Sequence, residues 1–166
     1  EDFHARFDAS NKLYAYRLIC RPGPLALDQN RAWHVRRPLN LHAMRQGAAH
    51  LLGHHDFSSF RGAQCQAKSP LRTLDRFDIF EQSSPLGDGV EYRFETQARS
   101  FLHHQVRNMV GTLSLVGEGK WRPDDIKTAL AAKDRTKGGP AAPACGLYLM
   151  RVDYDPPRPQ SMPMGL

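Results

Sequence analysis

His103, His104, Arg107 and Asn108 bring two imidazoles, a guanidinium and an amide into six residues of sequence. If a helix starts at a Ser100 cap, His103 and Arg107 lie one turn apart on a single face and could act together on one group. A metal site would want histidines at i and i+4 with a third ligand. Adjacent histidines instead point about 100° apart on a helix, so no metal is expected here. The plainer alternative has Arg107 bonding a carboxylate within the protein and the histidines bonding backbone, and spacing and charge alone favour that structural role. A second cluster, Asp56, Phe57, Ser58, Ser59, Phe60 and Arg61, holds a carboxylate that is either a catalyst or an ordinary turn residue. Tyr14 and Tyr16 could stack on a base, but aromatic residues are common in strands for packing reasons as well.

The elements that must position these residues follow from periodicity. Lys12 to Cys20 reads as a strand, with Tyr14, Tyr16, Leu18 and Cys20 on one face, stopped by Arg21, Pro22, Gly23 and Pro24. A short extended piece follows around Trp33 to Val35. Met44, Ala48, Leu51 and Leu52 recur at helical spacing, and Asn40 as N-cap with Gly53 as the residue beyond the end predicts a helix over 41–52. His54 to Pro70 reads as a functional surface loop. Two strands, about 71–82 and 89–98, should form a hairpin through Ser83, Ser84, Pro85, Leu86, Gly87 and Asp88. Leu102, Val106, Met109, Val110 and Leu113 predict a helix from Ser100 to about Gly117. Another starts at Pro123, with Asp124 and Asp125 in its first turn, and a last strand runs from Leu147 to Tyr154. The expected class is α+β: a ferredoxin-like or RRM-like antiparallel sheet, helices packed on one face and the other face free for a ligand. Residues 1–155 form one domain on this reading, and 156–166 a Pro-rich tail.

Composition fits a partner of opposite charge. There are 23 Lys and Arg against 17 Asp and Glu, a net charge of +6, which favours a phosphate backbone through counterion release. The three cysteines, Cys20, Cys65 and Cys145, lack CxxC spacing, which points to a reducing compartment, the cytoplasm, and away from a disulfide framework or zinc site. No apolar run approaches a membrane span. The chain opens on Glu1, Asp2 and Phe3 without an initiator Met, as though cut from a longer protein. From the residues alone the reading stops at a basic α+β domain suited to RNA.

Five separated blocks extend that reading: FHARFDASNKLYAYRLI, LLGHHDFSSFRGAQCQAKSPLRTL, SFLHHQVRNMVGTLSLVGEGK, LAAKDRT and APACGLYLMRVDYD. In this order they resemble the C-terminal two-thirds of the bacterial tRNA pseudouridine synthase A family. The resemblance implies one half of a pseudouridine synthase fold and a cofactor-free isomerisation of uridines 38, 39 and 40 in the tRNA anticodon stem-loop. It also implies a cytoplasmic homodimer. The target nucleotide must leave the stack before its glycosidic bond moves from N1 to C5. Tyr14 matches the family's active-site tyrosine, and Arg107 the arginine that pairs with the catalytic carboxylate. Leu147 resembles the apolar wall of the uracil pocket. Phe57, Lys68, Arg72 and His104 would lie near the RNA, chiefly positioning phosphates.

The family's Gly-Arg-Thr-Asp-Ala-Gly loop has no counterpart here; Asp134, in Lys133, Asp134, Arg135 and Thr136, belongs to another block. The nucleophilic Asp is therefore expected from a segment preceding Glu1, and the isolated chain should not isomerise uridine. The competing expectation is a non-catalytic ferredoxin-like RNA-binding module.

Overall fold

The computed structural model describes residues 3–83 and 89–155. Most of the expected turn, at 84–88, and the Pro-rich tail at 156–166 lie outside the described residues. Strand β1 (Ala9–Cys20) is the longest strand and the centre of the sheet. It pairs antiparallel with β6 (Val90–Ala98), which pairs antiparallel with β5 (Arg76–Ser83). On its other side β1 pairs antiparallel with β7 (Leu147–Tyr154) over Ala9 to Tyr16, and in parallel with the short β2 (Trp33–Val35) over Leu18 to Cys20. The long strands thus lie in the order β7-β1-β6-β5.

Period-two alternation puts Tyr16, Leu18 and Cys20 of β1 on one face with Tyr92 and Phe94 of β6 and Phe77 and Ile79 of β5. All are buried in one core with Met44 and Ala48 of α1 (Leu41–Ala49), Met109, Val110 and Leu113 of α2 (Gln105–Gly117), and Ile126 and Ala129 of α3 (Pro123–Ala132). The Asn40 carboxamide caps α1 by accepting from Ala43 N–H. At the start of α3, Asp125 accepts from Arg122 N–H at 2.7 Å. No described helix is long and apolar enough to cross a membrane.

Several local expectations change. Helix α1 ends at Ala49, and a tighter turn in which Leu51 N–H donates to Ala48 carries Leu51 into the core without further helix. Gly53 has φ +96° and opens strand β3 (Gly53–Asp56), so it does not cap α1. The single strand read over 71–82 is two, β4 (Leu71–Leu74) and β5, broken where Asp75 N–H donates to Gln97. β4 turns away to pair with β3 in a separate ladder, so the loop read from His54 begins as a strand.

A further change concerns the outer sheet face, which is covered over β1 although Phe80 of β5 and Arg93 of β6 stay exposed on it. Arg17 makes a bidentate pair with Glu91, at 2.7 and 3.0 Å, and its third donor reaches Asp28 at 3.0 Å. Tyr148, beside Ala15 in the ladder, donates its hydroxyl to the Arg31 carbonyl. These bonds hold the segment after β1 across this face, where Ala15, Ile19 and Glu91 are all buried. A bidentate guanidinium–carboxylate pair of this kind is geometrically specific, and removing one partner strands the other charge. Arg17→Ala leaves Glu91, only 2% exposed, without its cation. The expected loss is about 3 kcal/mol of unfolding free energy in urea titrations; a change below about 1 kcal/mol would show that the pair does not hold this face.

Candidate active-site cleft

A cleft of about 520 Å³ opens where β1, β7, the 61–67 segment and the start of α2 meet. Its shape depends on where α2 begins. The chain from Phe101 to His104 is not helical: Gln105 accepts from Leu102 N–H at 2.8 Å, and His104 adopts φ 61° and ψ 6° in the left-handed region. The expectation that His103 and Arg107 share a helical face therefore fails, because His103 precedes the helix. The neighbouring segment clamps this turn from outside. Gly62 N–H donates to His103 O at 2.8 Å, and His103 N–H donates to Cys65 Sγ at 3.4 Å. A Cβ at Gly62 would meet the His103 ring and carbonyl at 3.0 Å, tighter than ordinary contact, so the absence of a side chain there lets the two segments lie close.

Tyr14, half-buried on β1, meets Phe101 edge-on with ring centroids 5.2 Å apart. Burial pushes its phenol above the usual range, which keeps the hydroxyl protonated. Leu147, opposite Tyr16 at the start of β7, lines the same cleft. So does Arg107, which is not held by a carboxylate: among the described residues it makes no ion pair. Its Nε donates to Ala142 O at 2.7 Å, its own carbonyl accepts from Ala142 N–H at 2.9 Å, and Nη1 lies 3.2 Å from His104 Nε2. The carboxylate partner expected from spacing and charge is thus absent among the described residues; the guanidinium is fixed on backbone and faces a cavity.

The remaining candidates separate. Arg72 lines the cleft, anchored by Nη1 to the Ser69 and Leu71 carbonyls; burial lowers its pKa, and nearby Arg61 adds to the effect. Lys68 is exposed beside the lining residue Ala67 but is not itself in the wall. His104 is in the wall, yet burial, His103 and Arg107 all depress its pKa, which disfavours the cation a phosphate would attract. Phe57 does not reach the cleft. It is fully buried against Phe60 and packs the core, because its backbone is turned inward at the head of the 58–60 turn. Asp56 is the turn residue of the two readings: its carboxylate accepts from Ser58 N–H at 2.9 Å, and it lies outside this cleft. Asp134 caps its own turn through Thr136 N–H and donates its N–H to Ser59 Oγ.

Sequence reasoning assigned no role to Arg6, Lys12, Cys65, Phe101 and Gln105, which also line the wall. Lys12 is the clearest signal overlooked, one alternation before Tyr14 and so on the same strand face. Its pKa falls through burial and the nearby Arg6. The lining contains Arg6, Lys12, Arg72 and Arg107 and no Asp or Glu. The cleft thus crowds cations beside Tyr14 and Phe101, and its wall carries net positive charge.

Fold and cleft together define an α+β domain with a cationic, aromatic-walled cleft. The chain belongs to the tRNA pseudouridine synthase family, whose profile matches residues 48–155. It is 58% identical over 165 residues to tRNA pseudouridine synthase A of Paramagnetospirillum magneticum, covering 99% of this chain and 62% of that protein. The proteins of that name from Rhizobium meliloti and Paracoccus denitrificans are 55% and 54% identical, covering 92% and 95% of this chain and 60% and 59% of their own lengths. The chain thus spans about 60% of the length of these relatives.

Cys65 offers a probe of the wall. Burial raises its pKa, but hydrogen bonds from Ala67 and His103 N–H and the nearby Arg61 outweigh that and hold the thiol below the ordinary range. Burial pushes Cys20 up to about 12. Iodoacetamide at neutral pH should therefore alkylate Cys65 well before Cys20, with peptide mass spectrometry as the readout. Equal rates in folded protein would contradict this electrostatic picture.

Proposed function

We propose that this chain forms, within its full-length protein, the base-holding half of a tRNA pseudouridine synthase acting on uridines 38, 39 and 40 of the anticodon stem-loop. The observation that carries the reading is the convergence of Tyr14, Phe101, Leu147 and Arg107 on one cationic cleft without a carboxylate of its own. The ferredoxin-like assignment draws support from the strand order β7-β1-β6-β5, with its helices against one face.

In this reading the flipped uracil stacks on Tyr14 and rests against Leu147, held while its glycosidic bond is exchanged from N1 to C5. The Tyr14 hydroxyl, kept protonated by burial and without a hydrogen-bond partner among the described residues, is available to relay the proton leaving C5. Arg107 pairs with the nucleophilic carboxylate of a Gly-Arg-Thr-Asp loop carried elsewhere in the full-length protein, keeping it ionised and oriented. Arg72 on the wall and Lys68 on the rim take phosphates of the RNA backbone. No cofactor takes part. The working protein is a cytoplasmic homodimer, and this chain alone does not isomerise uridine.

The test uses the full-length gene product and tritium release from C5-labelled uridine in tRNA. Arg107→Ala is expected to cost about 3 kcal/mol, roughly a hundredfold in rate, and Tyr14→Phe to lower the rate as well. Wild-type rates in both variants would remove the site assignment. Tight tRNA binding without any tritium release from the parent protein would favour a non-catalytic RNA-binding module.

A further inference from the structure

His104 is the one residue at the cleft held in a backbone conformation that its side chain disfavours. At φ 61° and ψ 6° it sits in the left-handed region, which costs a non-glycine residue on the order of 1 kcal/mol or more and persists only where surroundings over-determine it. Here they do. The Gly62 and Cys65 contacts to His103, and the Gln105 side chain on Leu102 N–H, fix the turn from both sides. The result is that the His104 ring stacks on His103, with centroids 3.7 Å apart and planes at 27°, and brings Nε2 to 3.2 Å from Arg107 Nη1.

Resting on the reading of Arg107 given above, we propose that His104 is a positioning residue. Its unprotonated Nε2 accepts from Arg107 Nη1 and fixes the rotation of a guanidinium whose Nε is already tied to Ala142. One bond through Nε leaves the arginine fork free to swing; a second at Nη1 removes that freedom. Nη2 then remains without a partner among the described residues, available to a carboxylate. The left-handed turn is explained by this role, since a helical His104 would carry its ring away from the position it now occupies. Burial, His103 and Arg107 all favour the neutral ring, which is the form that can accept. The titratable and charged groups around it in the cleft are His103, Arg107, Cys65, Arg72, Lys12 and Arg6, and the cations among them act in the same direction.

The experiment compares His104→Gly and His104→Gln in the full-length protein. Glycine suits the left-handed backbone and removes the acceptor; glutamine places an acceptor oxygen at similar reach but cannot titrate. The glycine variant should fold with an unchanged or higher melting temperature, lose about tenfold in kcat, and keep its KM for tRNA within about twofold. The glutamine variant should recover most of kcat. It should also lose the acid-side decline that protonation of His104 imposes on the parent below the ordinary histidine range. A raised, salt-sensitive KM with unchanged kcat would make His104 a phosphate contact and overturn the proposal, as would equal losses in both variants. Nitrogen-15 spectra of labelled histidine in the same protein separate this proposal from the one on which it rests. His104 should be the Nδ1–H tautomer, with a pKa that rises in Arg107→Ala, whether or not the parent makes pseudouridine. An Nε2–H tautomer, or a pKa indifferent to Arg107, would refute the pairing. A parent without isomerase activity would refute the proposed function alone.

Discussion

Arg107 and Ala142 bond reciprocally, side chain to carbonyl at 2.7 Å and N–H to carbonyl at 2.9 Å, and that pair ties the segment leading to β7 onto α2 beside the cleft. It lays the 138–143 segment along α2, so closely that a Cβ on Gly111 would fall 1.9 Å from Pro140 O. Thr112 Oγ1 accepts from Gly139 N–H one turn further on. The segment then passes over Tyr16, whose hydroxyl donates to Pro143 O at 2.6 Å, and enters β7 with Leu147 beside Tyr16. One contact therefore fixes the guanidinium, the Leu147 wall and the docking of β7 on β1. With Nε on Ala142 O and Nη1 on His104, Nη2 of Arg107 is left without a partner among the described residues.

Electrostatics gives that arrangement its direction. Four cations line a wall without carboxylates, and the lowered pKa values of Lys12 and Arg72 record the cost, chiefly burial with added repulsion from neighbouring arginines. The outer sheet face behaves in the opposite way. There Arg17 is neutralised by Glu91 and Asp28, and the segment they tether covers the face around Ala15 and Ile19. Similar residue types are thus paired on one side of the sheet and left without a carboxylate in the cleft wall, and the difference lies in whether each cation has its counter-charge nearby.

What could be read from the sequence was whatever local rules decide. Alternation in β1 and β6, Pro123 with Asp124 and Asp125 at the start of α3, and the run from Leu147 to Tyr154 all predicted their elements. The start of α2 was hidden because Leu102 keeps the apolar stripe in phase and is buried, 4% exposed, although its backbone is not helical. The left-handed His104 is imposed by contacts from Gly62 and Cys65, some 40 residues away in sequence, and no local pattern encodes it. Phe57 looked like a loop aromatic because nothing nearby says which way the turn faces. Likewise the closing of the outer face depends on Arg17 meeting Glu91 across the β1–β6 ladder, a pairing that charge counts do not reveal.

The proposed site takes the substrate base between Tyr14, Phe101 and Leu147, and not on the sheet's outer face. Photocrosslinking the full-length protein to an anticodon stem-loop carrying 4-thiouridine at position 39, followed by peptide mapping, tests it directly. Adducts are expected on the peptides containing Tyr14, Phe101 or Leu147. Adducts confined to the outer face around Phe80 and Arg93 would contradict it.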